Sequence, residues 1–379
     1  MVSDTTAVPI DTIVQWNESS RRVGIVMVIG EHCMSHNIGC GRRCFLGAAL
    51  AAFGVPRLVA RSGQPERQTA APAINGAGSS EALGTLKEVA AGLLNVGYAD
   101  AGPSHGRPVI LLHGWPYDIH SFVDVVPLLA SAGYRVITPY LRGYGTTRFL
   151  SSTTSRNGQQ SALALDVIAF MDAVGIEKAV VAGFDWGART ANIMAVLWPE
   201  RCKGVVAVSG YLIGNREANR RPLTPQAEYA WWYQYYFATE RGERGYGEHR
   251  RDFSKLIWRL ASPRWQFDET TFERAARSFD NPDHVRIVIH NYRWRLELEA
   301  GEPQYDRLEA VLAKAPIISV PAVTLQGDAD GAPHPDSRVY AKKFSGPYVH
   351  RFVTGGVGHN LPQEAPRAFA DAVIDVDRW

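Results

Sequence analysis

Cysteine is scarce in this sequence, and long apolar runs are missing. Four cysteines occur in 379 residues: Cys33, Cys40 and Cys44 near the N-terminus, and Cys202 alone beyond them. The body of the chain therefore has no set of partners for a disulfide framework. No stretch reaches the ~18 consecutive apolar residues that mark a membrane-spanning helix, so no stable membrane span is expected. An excess of charge of either sign is missing too. The 40 basic and 38 acidic residues leave a net charge of +2, which gives nucleic acid or another polyanion nothing to hold. Nothing in the sequence marks an oligomeric state. What is plentiful is apolar: a hydrophobic content of 46% is enough for a large core. Many of the ten Trp and fifteen Tyr crowd between Tyr211 and Trp294. Such crowding packs a core or lines an apolar pocket, and only a motif can decide between the two.

Residues 1–80 read as a targeting or disordered segment. Gly41-Arg42-Arg43-Cys44-Phe45-Leu46 precedes a weakly apolar stretch from Phe45 to Val59, and a polar stretch rich in Gln, Ala, Pro, Gly and Ser follows. Paired arginines ahead of a modest apolar run resemble a bacterial twin-arginine export signal. Ala71-Pro72-Ala73 supplies a small-residue cleavage site, and Met34 would give the leader a normal length as the start. The expected product is periplasmic or secreted; without the signal it is cytoplasmic. His32, Cys33, His36, Cys40 and Cys44 fit no two-plus-two spacing of zinc ligands, so no metal site is expected there.

From Thr85 the pattern alternates between strands and helices. Strands are expected at 86–90, 93–98, 108–112, 135–139, 179–184 and 204–209, with helices at 122–132, 160–174 (amphipathic) and 188–198. The rhythm breaks between residues 211 and 316, which read as an inserted helical cap. It resumes with a strand at 322–326, a helix at 336–344, a strand at 349–354 and a helix at 363–374. Such alternation predicts an α/β fold, mainly parallel sheet flanked by helices, with a core of 85–210 and 317–379.

The chemistry-bearing motif is Gly183-Phe184-Asp185-Trp186-Gly187, at a strand-to-helix junction. A nucleophile elbow turns so sharply that small residues are needed two before and two after the nucleophile. The following helix points its N-terminus at the Asp185 carboxylate and favours its ionised form. Gly102-Pro103-Ser104-His105-Gly106 also matches the serine form of the motif, but a strand follows it, so it reads as a loop. An aspartate nucleophile changes the reaction. A carboxylate is already charged at neutral pH, and it can displace a leaving group from saturated carbon to give an enzyme ester. Water must then hydrolyse that ester, which calls for a base. His359, in the glycine-rich loop after the last strand, is that base, with an ordinary pKa near ~6.5. Its orienting acid is Asp330, with Asp328 second, both following the strand at 322–326. The order nucleophile, acid, histidine is the one expected of an elbow fold. His113-Gly114-Trp115-Pro116 ends the strand at 108–112. A backbone N–H there and that of Trp186 are candidates for holding the oxyanion of the ester-hydrolysis intermediate, with His113 and Trp115 at the substrate. Arg142-Gly143-Tyr144-Gly145 is expected on the same rim.

Together, His-Gly-Trp-Pro at 113–116, Arg-Gly-Tyr-Gly at 142–145 and Gly-Phe-Asp-Trp-Gly at 183–187 resemble the epoxide hydrolase branch of the α/β-hydrolase superfamily, from about residue 85 to the C-terminus. The resemblance implies an apolar epoxide as substrate, a vicinal diol as product, and no metal or organic cofactor. It also implies two cap tyrosines that grip the epoxide oxygen. By similarity these fall on Tyr233, with Tyr235 and Tyr236 as rivals, and on Tyr292. A phenol with a pKa near ~10 stays protonated at neutral pH and can donate to a forming alkoxide. Dehalogenases share the aspartate nucleophile and are the alternative. Trp115 stands where haloalkane dehalogenases commonly carry a halide-binding Asn. Trp186 replaces the first arginine of the haloacetate dehalogenase elbow, although Arg189 remains. A non-catalytic binding protein of the same fold is the remaining alternative, and a serine-type esterase lacks its serine.

Overall fold

A computed structural model describes residues 82–334 and 336–379, together with Val14–Gln15 and Gly24–Ile25, which pair as a short antiparallel ribbon. The twin-arginine-like segment, Met34, the 71–73 cleavage site and the cysteine–histidine cluster at 32–44 lie outside the described residues.

The body opens with a hairpin, β1 (Thr85–Ala91) and β2 (Leu94–Ala101), turned at Gly92, whose φ of 56° suits a residue without a Cβ. Then come β3 (Arg107–Leu112), α1 (Val125–Ser131), β4 (Tyr134–Pro139), a two-residue strand β5 (Arg148–Phe149), α2 (Gln160–Ala173), β6 (Ala179–Gly183), α3 (Trp186–Leu197) and β7 (Cys202–Val208). Seven helices follow without a strand: α4 (Arg216–Asn219), α5 (Pro225–Ala230), α6 (Trp232–Ala238), α7 (Glu240–Ala261), α8 (Glu269–Ala276), α9 (His284–Arg295) and α10 (Asp306–Leu312). The chain returns to the sheet with β8 (Ala322–Gly327), α11 (Ser337–Tyr340), β9 (Tyr348–Val353), α12 (Leu361–Glu364) and α13 (Pro366–Asp377).

The nine strands form one sheet in the order β9-β8-β7-β6-β3-β4-β2-β1, with β5 paired to β2. From β9 to β4 every pairing is parallel; β2 runs antiparallel to β1, β4 and β5. Parallel strands covered on both faces need apolar residues on both sides. This explains why β6 is buried throughout and why Val109 to Leu112 of β3 have no exposure. Each fully buried Val, Ile or Leu among them contributes roughly 1.5–3 kcal/mol.

Where the structure departs from the sequence expectations, the cause is local. Helix 122–132 is split into a 3-10 turn (Ile119–Phe122) and α1, with Asp118 capping the turn through His120 N–H. The C-terminal helix breaks at Pro366, which has no N–H to give and disfavours a helical residue before it. Helix 336–344 shortens to α11 and a 3-10 turn. Helix α2, expected to be amphipathic, is buried on more than one face. Gln160 and Ser161 in its first turn are covered by α10, where the Glu309 carboxylate accepts from Gln160 Nε2 and Ser161 N.

Glycines in the centre of the sheet set how closely its elements approach. A Cβ on Gly187 would lie 1.9 Å from Leu112 O, and one on Gly183 would lie 2.6 Å from the same carbonyl. Gly187→Ala would ordinarily stabilise a helix by up to ~1 kcal/mol. Here we expect it to destabilise by at least ~2 kcal/mol, read from chemical denaturation; an unchanged or raised midpoint would contradict the close approach.

Candidate active site

The site lies beyond the carboxyl ends of β3, β6, β8 and β9, where open parallel sheets gather their ligands. Asp185 occupies the turn between β6 and α3 with φ 51° and ψ −121°, a conformation unfavourable for a residue with a Cβ. The turn brings its carboxylate against the loop after β3. Gly114 makes this possible, because a Cβ there would lie 2.3 Å from Asp185 Cβ. Trp115 N–H donates to Asp185 Oδ1 at 2.8 Å. The second oxygen, Oδ2, faces His359 Nε2 at 3.5 Å. On the far side of the ring, His359 Nδ1 lies 3.1 Å from both oxygens of Asp330.

Asp330 is itself fixed by Ala332 N–H at 2.9 Å. Asp328 has a different job: it accepts from the amides of Gly355, Gly356 and Val357, which shapes the loop leading to His359. Two further supports carry no local signal in the sequence. Ser262, at the end of α7, accepts from His359 N–H through its Oγ at 2.9 Å. The same hydroxyl donates to Glu364, whose other oxygen accepts from Gly358 N–H.

Charge follows this geometry. Burial pushes the Asp185 carboxyl up, but the His359 bond and charge, Arg189 and the Trp115 amide outweigh it and hold the pKa below the usual carboxylate value. Burial disfavours a charged His359, yet Asp330 and Asp185 together raise its pKa well above that of free histidine. Both shifts favour the charged forms, a carboxylate facing an imidazolium.

Tyr233 and Tyr292 line the same cavity, of about 270 Å³, as Asp185 and His359. Their rings are 5.5 Å apart and each packs on Trp115. Burial raises the Tyr233 phenol to about 12 and the Tyr292 phenol well above its ordinary value, with the Asp185 charge adding to both. Tyr235 lies on the surface, bonded to Glu228, and Tyr236 stacks on Phe253 away from the cavity.

Two residues grouped with the oxyanion in the sequence keep their rings out of the cavity. The His113 ring is fully buried, accepts from Leu141 N–H at Nε2 and donates to Gly114 O from Nδ1. Burial lowers its pKa to about 4, so it is a neutral brace between two loops and does not line the cavity. The Trp186 ring is likewise buried off the cavity against Tyr144 and Tyr292. Its backbone amide opens α3, where first-turn N–H groups have no partner within the helix. Trp115 does reach the cavity, and its indole starts a buried chain. Trp115 Nε1 donates to Tyr246 Oη (2.8 Å), Tyr246 to His284 Nε2 (2.8 Å), and His284 Nδ1 to Gly143 O (2.9 Å). Arg142 of the same 142–145 loop is buried and paired with Asp166 through two bonds of 2.6 and 2.7 Å. No cluster among the described residues could hold a metal ion.

Four matches relate the chain to known proteins. The family model described as alpha/beta hydrolase fold matches residues 107–362, well over half of the chain. Epoxide hydrolase B of Mycobacterium tuberculosis is 40% identical over 157 residues, covering 38% of this chain and 44% of that protein. The chain thus spans less than half the length of the curated relatives it matches. A crystal structure of a proposed epoxide hydrolase from Klebsiella pneumoniae is 58% identical, covers 79% of this chain and 99% of its own, and superposes with a TM-score of 0.78. A Pseudomonas aeruginosa structure, 22% identical with a TM-score of 0.64 over 81% and 97% of the two chains, shows the shared fold. An aspartate elbow on a central parallel strand, the histidine loop after the last strand and the family match agree: the chain belongs to the alpha/beta hydrolase fold family.

Proposed function

We propose that the protein is an epoxide hydrolase. The observation that carries the reading is the facing pair: two protonated phenols, Tyr233 and Tyr292, across one cavity from an ionised Asp185. Opening an epoxide needs a nucleophile on carbon and an acid on oxygen, and these groups supply both. The names of the Mycobacterium tuberculosis and Klebsiella pneumoniae relatives support the same reading.

In the proposed cycle the phenols hold the epoxide oxygen. Trp115 N–H occupies Asp185 Oδ1, which leaves Oδ2 to attack a ring carbon. The carbon–oxygen bond breaks, the oxygen takes a proton from a tyrosine, and an alkyl ester of Asp185 forms. His359, oriented by Asp330, then takes a proton from water, and the hydroxide adds to the Asp185 carboxyl carbon. Oδ1 becomes the oxyanion between the amides of Trp115 and Trp186. Collapse breaks the bond between the carboxyl carbon and the alkyl oxygen; His359 returns its proton to that oxygen to release the vicinal diol, and the proton of the regenerated carboxyl passes to the tyrosinate, which restores the carboxylate and the phenol. Every group the cycle uses is a protein side chain, an amide or water.

Three outcomes are expected. In assays that follow diol and free halide together on matched epoxide and organohalide panels, diol should form without halide and vanish in Asp185→Ala; halide without diol would move the reaction to the dehalogenases. His359→Gln should accumulate the ester, seen by mass spectrometry as a gain equal to the epoxide, while normal turnover would remove His359 from the cycle. Tyr292→Phe should slow ring opening by roughly 10²-fold in single-turnover kinetics. The charge arrangement also has a sign. Asp185 helps raise the His359 pKa, so Asp185→Asn, neutral like the ester, should lower it. Histidine titration by NMR would show the ring deprotonating at lower pH than in the unmodified protein, and a shift to higher pH would refute the coupling.

A further inference from the structure

The cavity that holds the proposed reaction centre also holds two arginines that the cycle does not use. Arg189 and Arg295 both line it. Their positions are tied to the reacting groups by helix geometry. Arg189 follows Asp185 by four residues at the start of α3, and Arg295 follows Tyr292 by three on α9. Residues three or four apart share one helix face about one turn, ~5.4 Å, away. The nucleophile and the oxygen-gripping phenol each have a guanidinium one turn further along.

Neither guanidinium is bonded to an acid. Among the described residues, no carboxylate lies within ion-pair distance of either. The one side-chain bond of Arg189 runs from Nε to Leu212 O at 2.9 Å, which leaves its two terminal nitrogens free. Arg295 lies over the Tyr292 ring, 5.4 Å from its centroid. The contrast within the same protein is Arg142, which is buried and met by both oxygens of Asp166. Both side chains are only partly exposed, and two partly buried guanidinium groups facing one cavity with no acid bonded to either call for an explanation. The Asp185 charge favours the Arg189 cation, but no bond joins the two, because that carboxylate faces His359 and the Trp115 amide. Counting His359 as protonated with Asp330 beside it, the centre has two anions and three cations once the arginines are included. Burial and the nearby Arg295 hold the Arg189 pKa down to about 10, consistent with two like charges facing one space.

We propose that Arg189 and Arg295 form an anion subsite and that the substrate is an epoxide carrying a carboxylate. This deepens the epoxide reading and rests on it for the chemistry. Planar guanidinium forks match carboxylate geometry. A subsite about one turn from both Asp185 and Tyr292 favours a carboxylate separated from the ring by a short chain. The apolar epoxide expected from the sequence thereby becomes an amphipathic one. Its apolar part packs on Trp231 and Trp232, which line the cavity between the cap and the site.

The test has a kinetic arm and a binding arm. A ladder of terminal epoxy carboxylates of increasing chain length is compared with the matching methyl esters. At the best length, kcat/KM should favour the acid by roughly ten- to a hundredfold, the scale of hydrogen bonds to charged groups. Arg295→Gln should collapse the acid-to-ester ratio, and Arg295→Lys should restore part of it; thermal melting confirms that both variants fold. A ratio at or below one at every length, or a ratio unmoved by Arg295→Gln and by Arg189→Gln, would overturn the subsite. The binding arm needs no turnover: calorimetry compares hexanoate with hexanamide. Hexanoate should bind at least tenfold more tightly, with the advantage lost in Arg295→Gln; equal binding would overturn the subsite. If neither epoxy acid nor ester gives diol while hexanoate keeps its advantage, the epoxide reading fails and the anion subsite stands.

Discussion

The fold turns on how closely β3 and β6 can come together at their carboxyl ends. Asp185 is held at a positive φ, and its carboxylate sits within reach of Trp115 N–H only because Gly114, Gly183 and Gly187 have no Cβ. Remove that freedom at any of the three and either the strand, the helix or the neighbouring loop must shift. The strain at the elbow is local, while the sheet that opposes it is long and apolar on both faces. A rigid scaffold thus keeps a charged side chain in a position that a flexible chain would not adopt.

The helical insertion does more than roof the cavity. Through Tyr246 of α7 and His284 of α9, it joins the Trp115 indole to the carbonyl of Gly143, so two core loops and two inserted helices share one buried hydrogen-bond chain. Burial lowers the His284 pKa to about 3. The ring stays neutral, with Nδ1 donating and Nε2 accepting, and the chain has a single direction. Ser262 makes a second tie, from the end of α7 to the backbone of His359. Both members of the proposed water-activation step, the oxyanion amide and the base, are braced by residues of the insertion.

The elements that were legible in the sequence are those with short-range patterns. Apolar runs locate the parallel strands, since both faces are buried, and the paired glycines mark the elbow because a side chain there would collide with Leu112. The chain order of Asp185, Asp330 and His359 follows from the strands that carry them. What spacing cannot give is the direction a side chain takes. His113 stands in the right loop, yet its ring turns inward to Leu141, and Asp328 rather than Asp330 holds the glycine loop. Long-range partners are also hidden: Ser262 and Glu364 are 102 residues apart, and Arg142 finds Asp166 across 24. Resemblance left three tyrosines open for one role. Their surroundings differ: Tyr233 lines the cavity, while Tyr235 and Tyr236 face other neighbours.

Charge orders the two half-reactions of the proposed cycle. Before ring opening, Asp185 is an anion beside a histidine whose pKa is raised. A protonated His359 cannot take a proton from water, so the base is withheld while the nucleophile is free. Forming the ester removes the Asp185 charge and with it one of the two interactions that keep the ring protonated. Asp330 remains and still orients the ring. The pKa of His359 is then lower than in the resting site, which favours the neutral base at the stage where there is an ester to hydrolyse. Releasing the diol restores the carboxylate, which again favours the imidazolium. In the proposed cycle one side chain is thus both the nucleophile and the electrostatic control on the base, a reading supported by Oδ2 facing Nε2 across 3.5 Å within a largely buried site.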